Sequence, residues 1–212
     1  MRVLVTGSQS SKIGGATCRR LAELALLKGE HVKLAACQMT ETDTIVILAN
    51  ELRELGAEVI VLTGDLGDPN IPKSLIKKIV DEFGGLDAVA SMSGMGAHPG
   101  MGAYSPSKAA LISLCQVLTQ EWAADGINVN IVSPGMIHTP LTYEVYENNK
   151  IAKDRSALVP LDRVGGLTDI ANIIDFLLSK EAEYMTGKNL LIDVGFVDSL
   201  YSHIPGLPGS TN

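Results

Sequence analysis

Short apolar runs alternate along this chain with stretches whose apolar residues recur at helical spacing. Residues 3–5, 32–36, 59–63, 88–90, 127–132 and 190–192 read as strands. Residues 13–27, 42–55, 71–83, 104–124 and 167–178 read as helices. In the first helix Ala16, Leu21, Leu24 and Leu27 are available for one apolar face, Gly56 closes the second, and Gly84-Gly85 closes the third. Strands that alternate with helices imply a parallel sheet covered on both faces, a doubly wound, Rossmann-like α/β fold. No linker or internal repeat interrupts the pattern. One domain over residues 1–197 is expected, followed by an irregular tail, 198–212, that carries Pro205, Gly206, Pro208 and Gly209.

Composition narrows the function classes. Hydrophobic residues make up 46% of the 212 and charged residues 19%, which describes a globular chain. A net charge of −7 with no basic run argues against nucleic acid or an anionic membrane as partner. No apolar stretch reaches the ~20 residues of a membrane helix. The N-terminus enters a strand-like run at once and lacks the pattern of a secretory leader. Cys18, Cys37 and Cys115 are odd in number and widely spaced, which fits free thiols and a cytoplasmic location. His31, His98, His138 and His203 are scattered, so no metal site is expected.

The first strand runs into Thr6-Gly7-Ser-Gln-Ser10-Ser-Lys12-Ile13-Gly14-Gly15, and a helix follows. Small residues allow a backbone to approach a pyrophosphate, and a helix N-terminus supplies N–H donors. A plain turn between strand and helix is the bland reading of the same residues. Lys12 reads either as a solvated lysine or as a contact to a phosphate, including a 2′-phosphate. Strand two ends in Ala36-Cys37-Gln38, with neither the acid that holds a ribose 2′-hydroxyl nor the base that favours a 2′-phosphate. Lys12 and the missing acid together lean toward NADP over NAD. Asp65, after the third strand, is either a turn residue or an adenine contact.

Tyr104-Ser-Pro-Ser-Lys108 opens the fourth helix, so Tyr104 and Lys108 share one face. Ser91 lies 13 positions before the tyrosine, and Pro134-Gly135-Met-Ile137-His-Thr139 follows the helix. This stretch resembles the active-site segment of the classical short-chain dehydrogenases/reductases. The strand-one loop resembles that family's T-G-x-x-x-G-x-G, with one residue inserted and Lys12 at the middle glycine. The resemblance implies an NAD(P)-dependent enzyme that moves a hydride between a nicotinamide and a secondary alcohol or its ketone. It implies Tyr104 as proton donor, Lys108 as the cation that stabilises the phenolate and holds the ribose, and Ser91 as the hydroxyl that orients the substrate oxygen. Gly7, Ser10, Lys12, Ile13, Gly14, Asp65, Lys108, Pro134, Gly135, Ile137 and Thr139 are the implied cofactor contacts. A homo-oligomer is expected, and residues 141–151 are expected to form a mobile lid. The spacing of four between Tyr104 and Lys108 favours the ketone reductases over the divergent enoyl reductases.

One departure stands out. In the family a strand–helix crossover separates the Leu-Asp landmark from the catalytic serine. Here only three residues separate Asp87 from Ser91, far fewer than the dozen or so a crossover needs. Three readings follow: a shortened working enzyme, a relative that binds nucleotide without catalysis, and a natural polypeptide with a further strand and helix between Asp87 and Ser91. The last is the expected one, with direct pairing of Val89 and its neighbours to strand one as the alternative.

Overall fold

The computed structural model describes residues 1–90 and 100–205, and these divide into two compact units. The first comprises residues 1–90 with 170–184. The second comprises 100–169 with 185–205. Ser91, Ser93 and His98 lie outside the described residues.

In the first unit the order is β1 (Arg2–Thr6), α1 (Ile13–Lys28), β2 (Lys33–Gln38), α2 (Asp43–Glu54), β3 (Glu58–Thr63), α3 (Ile71–Phe83) and β4 (Ala88–Ala90). The strands form a parallel sheet in the order β3-β2-β1-β4. Val3 pairs with both Leu34 and Ala88, and Leu34 with Val59. Leu34 to Cys37 are all buried, as both faces of a parallel sheet are covered and the strand has no solvent side. Ile45, Leu48 and Leu52 fall on one face of α2, and Leu75, Ile79 and Phe83 on one face of α3. Each such side chain, taken from water, contributes about 1.5–3 kcal/mol. Helix α1 ends where Gly29 turns left-handed at φ 65°, a conformation that glycine adopts without steric cost.

Strand β4 runs through Ala88, Val89 and Ala90 and pairs directly with β1, the alternative arrangement expected for Val89 and its neighbours. Asp87 pins the register. Its N–H donates to the Arg2 carbonyl at 2.9 Å, and its carboxylate accepts from the Arg2 N–H at 2.7 Å and from the Arg2 guanidinium.

The second unit contains α4 (Tyr104–Trp122), β5 (Ile131–Pro134), α5 (Tyr143–Glu147), α6 (Asn149–Ser156) and, after α7 (Leu167–Leu178), β6 (Asn189–Ile192). Only the first residues of α7 belong to this unit, and Ile170, Ala171 and Ile174 are buried in the other. β5 and β6 pair in parallel, Ile131 with Asn189 through Pro134 with Ile192. The fully buried Ser133 hydroxyl donates to Asn189 Oδ1 at 2.6 Å.

Two sequence expectations, the strand at 127–132 and the irregular tail, are corrected here. The strand expected at 127–132 begins only at Ile131. Val129 N–H donates to Thr186 Oγ1 and Asn130 Nδ2 to the Met185 carbonyl, so side chains take the place of ladder bonds there. The segment 141–151, expected as a mobile lid, contains α5 and the start of α6, and Asn148 Oδ1 accepts from the N–H groups of Lys150 and Ile151. The tail forms 3-10 turns over Val197–His203, tied down by Ser199 Oγ donating to the Leu158 carbonyl at 3.1 Å. Residues 206–212 lie outside the described residues.

Candidate functional site

The first unit holds a cavity of about 320 Å³ at the carboxyl ends of its strands. The loops that form its walls are locked by backbone. Ser8 N–H donates to the Cys37 carbonyl, and Gly64 N–H to the Gln38 carbonyl, both at 3.1 Å, which extends the ladders past the strand ends. Gly7 sits at φ 66°, and a Cβ on Gly14 would lie 2.5 Å from the Gly7 carbonyl oxygen, so the loop and α1 touch backbone to backbone. That close approach is what the glycines are for. Ser8 Oγ donates back to the Val5 carbonyl, and the buried Cys18 thiol rests against it, pushed up to about 12 by burial and therefore inert.

Of the expected cofactor contacts, Gly7, Lys12 and Asp65 line this cavity. Lys12 caps α1 from an extended conformation and is exposed. Asp65 lines the cavity and acts as a turn residue there, its Oδ1 accepting from the Gly67 N–H at 2.9 Å. Ser10 is fastened from behind. Its carbonyl and hydroxyl accept from Arg19, which also pairs with Glu51 at 2.7 Å. Ile13 opens α1. Sequence reasoning missed Gln38, Met39, Thr40, Thr42 and Leu66 as lining residues. Their position at or just past the ends of β2 and β3 was the available signal.

Gln38 is buried, with 9% of its surface exposed. Its Nε2 donates to the Thr40 carbonyl and to Thr42 Oγ1, whereas Oε1 is buried with no partner. A glycine loop in backbone contact with α1 and a cation, Lys12, among the lining residues are features that an adenosine phosphate fits.

The second unit carries the tyrosine and lysine. Tyr104 is the first residue of α4 and 41% exposed, and Lys108 Nζ lies 5.6 Å from the centre of its ring. The Tyr104 N–H donates to the Met101 carbonyl, and Ser107 Oγ donates to the Tyr104 carbonyl, which together fix the first turn. At the end of β5, Gly135 approaches β6 so closely that a Cβ would lie 2.5 Å from the Asp193 Cβ. Ile137 bridges to Gly165, and Thr139 N–H donates to Thr142 Oγ1 at 2.9 Å. Thr142, missed by the sequence reading, also donates to the Ile137 carbonyl and so organises the Ile137–Thr139 segment. His138 lies against the rings of Tyr143 and Tyr146, at 6.0 and 5.2 Å between centres. Ser91, the third expected catalytic residue, lies outside the described residues.

Comparison with known proteins gives a consistent answer. The family model described as enoyl-(acyl carrier protein) reductase matches residues 88–197, just over half of the chain. An uncharacterised short-chain type dehydrogenase/reductase of Sinorhizobium fredii is 40% identical over 51% of this chain and 20% of its own length. A tropinone reductase homolog of Arabidopsis thaliana is 34% identical over 58% of this chain and 40% of its own. The chain thus spans less than half the length of the first curated relatives that it matches. A 3-oxoacyl-[acyl-carrier-protein] reductase of Rickettsia bellii is 27% identical over 92% of this chain and 95% of its own length. That match runs over 235 positions but takes in only 92% of the 212 residues here, about 195, so about 40 of its positions have no counterpart in this chain. A solved short-chain type dehydrogenase/reductase from Mycobacterium ulcerans shares the fold, with a TM-score of 0.80 at 22% identity over 92% of this chain and 89% of the other. The L-sorbose reductase of Gluconobacter frateurii, solved with NADPH and L-sorbose, superposes with a TM-score of 0.78 at 22% identity over 94% and 97%. The parallel α/β architecture, the glycine loop under α1 and the Tyr–Lys turn of α4 are those of one lineage, and the chain belongs to the short-chain dehydrogenase/reductase family.

Proposed function

We propose that the chain is an NAD(P)-dependent oxidoreductase that interconverts a secondary alcohol and its ketone. The observation that carries the reading is Lys108 Nζ at 5.6 Å from the Tyr104 ring, on the opening turn of α4. In the reducing direction negative charge builds on the carbonyl oxygen, and a proton must arrive there. Tyr104 Oη supplies that proton, and the Lys108 ammonium stabilises the negative charge left on the phenolic oxygen. Bound nicotinamide supplies the hydride. Ser91 orients the substrate oxygen in this reading. Gly7, Ser10, Lys12, Ile13, Gly14 and Asp65 hold the adenosine and pyrophosphate, while Lys108, Pro134, Gly135, Ile137 and Thr139 hold the nicotinamide half.

The cavity beside Lys12 supports NADP as the preferred cofactor, with NAD as the alternative. The substrate is a small alcohol or ketone. Cys18, Cys37 and Cys115 are all free thiols, which suits a reducing compartment and the cytoplasm. Among the described residues no helix is long and apolar enough to cross a membrane. The working form is a homo-oligomer, a state that light scattering reads directly.

Tyr104→Phe tests the proposal. It removes one hydroxyl from an exposed position, so thermal stability and nucleotide affinity should hold. NADPH oxidation against a panel of ketones should slow by ~10²–10⁴-fold. Turnover near that of the wild type would overturn the assignment.

A further inference from the structure

Deepening that reading, on which this rests, we infer that Arg19 is a positioning residue for the nucleotide: with Glu51 it clamps the Gln9–Lys12 turn in the shape that lines the cavity.

Gln9 and Lys12 both line the cavity, and the Lys12 N–H donates to the Gln9 carbonyl at 3.0 Å, so these two lining residues are the ends of one tight turn. Gln9, Ser10, Ser11 and Lys12 are all polar, and Ser11 and Lys12 are exposed, so apolar burial does not hold the turn. Lys12 makes no side-chain bond to the first turn of α1 either. On one side the turn rests against Gly15, where a Cβ would lie 2.8 Å from the Ser10 carbonyl oxygen. Arg19 stands one helical turn beyond Gly15, on the same face of α1.

The guanidinium joins three segments. Nη1 donates to the Ser10 carbonyl at 2.6 Å, and Nη2 donates to the Ser10 hydroxyl. Nε and Nη2 also donate to Glu51 Oε2 of α2, at 2.9 and 2.7 Å. A planar fork with donors on two edges makes this set of bonds, and a lysine ammonium on its single stem does not span it. Glu51 neutralises the guanidinium where it sits and fixes its plane. Among the described residues, those that line the cavity include Gln9 and Lys12 and not Arg19 or Glu51. Arg19 therefore acts on the nucleotide through the turn, by holding the Ser10 peptide against α1, and not as a cation that meets a phosphate.

The two possible roles of this arginine differ in sign. If its charge attracts the nucleotide, Glu51→Gln unmasks that charge and binding tightens. If it is a clamp, Glu51→Gln loosens the clamp and binding weakens. Fluorescence titration of the full chain with NADPH, with the melting temperature measured alongside, reads the sign without turnover. The dissociation constant should rise about threefold in Glu51→Gln, as fits a partly exposed pair. It should rise about tenfold in Arg19→Lys, which keeps the charge and loses the fork. The double variant should bind no worse than Arg19→Lys alone, since both changes undo the same clamp. Glu51 is 41% exposed and glutamine keeps its size, so this variant gives the sign even where Arg19→Lys lowers stability. Tighter binding in Glu51→Gln overturns the inference, as does wild-type affinity in Arg19→Lys. A lower melting temperature with unchanged affinity in both variants assigns the pair to stability alone and overturns it too. Those outcomes leave the dinucleotide reading intact, whereas wild-type protein that fails to bind NADPH defeats that reading and the inference with it.

Discussion

The cavity of the first unit and the Tyr–Lys turn of the second are built on opposite principles. The cavity is made by backbone. Its loops are pinned by hydrogen bonds between strand ends, by glycines in contact with carbonyl oxygens, and by an arginine that fastens Ser10 from behind. Little in it can move without disturbing the sheet. The Tyr–Lys turn is made by two side chains on the first turn of a helix, with the tyrosine 41% exposed. A recognition surface tolerates no change of shape but many changes of chemistry. A proton-transfer pair tolerates neither the loss of one atom nor the loss of one charge, yet its removal leaves the fold alone. Substitutions should therefore separate the two regions by which measurement fails.

The largest effect should come from Gly15→Val. A Cβ at Gly15 would meet the backbone of Gln9 and Ser10, with the Ser10 carbonyl oxygen at 2.8 Å and its Cα at 2.9 Å. Backbone cannot rotate aside as a side chain does, so either α1 or the loop must shift. Overpacking of this kind costs about 1–3 kcal/mol, and the loop it displaces is the proposed phosphate cradle. Nucleotide affinity should fall by more than about a hundredfold and the melting temperature should drop, two losses that Tyr104→Phe does not cause. Unchanged affinity in Gly15→Val would mean that the nucleotide binds elsewhere.

How much of this could be read in the chain differs between the regions in the same way. Regular elements with a clear apolar pattern were legible, among them α3, α7 and β4, whose bounds match the sequence pattern. Tyr104 and Lys108 were legible because a helix fixes their spacing. The place of Gln38 at the end of strand two was legible, whereas its unpartnered Oε1 was not, because that depends on tertiary contacts. The early part of the strand expected at 127–132 failed for a related reason. Asn130 makes side-chain bonds to Met185 and Lys188 that imitate a ladder, and pattern alone does not distinguish the two. Ser91 keeps the standing that its spacing to Tyr104 gives it.

A middle-sized effect is expected at Val194, which adopts φ 55° between Asp193 and Gly195. A β-branched side chain in the left-handed region is strained by about 1–3 kcal/mol. The strain is held in place by Asp193, whose carboxylate accepts from the N–H groups of Gly195 and Val197. Val194→Gly relieves it, and the added freedom of the unfolded chain offsets about 0.5–1 kcal/mol of the gain. A net stabilisation near 1 kcal/mol should raise the melting temperature by about 2–4 °C for a chain of this size. A lower melting temperature would show that the valine side chain contributes more by packing than its backbone loses.

The smallest effect is a shared one, and it tests whether both units are closed by the same device. Asp87 in the first unit and Asp169 in the second each sit against an arginine. Hydrogen bonds from Arg2 hold the Asp87 carboxyl below its ordinary range. Hydrogen bonds from Arg163 and from the Gly166 N–H do the same for Asp169. A carboxylate whose folded value is depressed contributes stability that is fully present above its unfolded value, about 3.9, and is lost as pH falls through the folded value. Both aspartates are more than a third exposed, so solvent screens the pairs and each is worth at most about 1 kcal/mol. Asp175 works the other way, since burial raises it and protonation relieves the folded state as pH falls. Urea unfolding should therefore find Asp87→Asn and Asp169→Asn each less stable than wild type by up to about 1 kcal/mol at pH 7. The deficit should begin to shrink as pH falls below the unfolded value of about 3.9 and should vanish only where the folded carboxylates are themselves protonated. A deficit that keeps its size throughout that fall in pH would assign these residues a role in shape alone, with no contribution from charge.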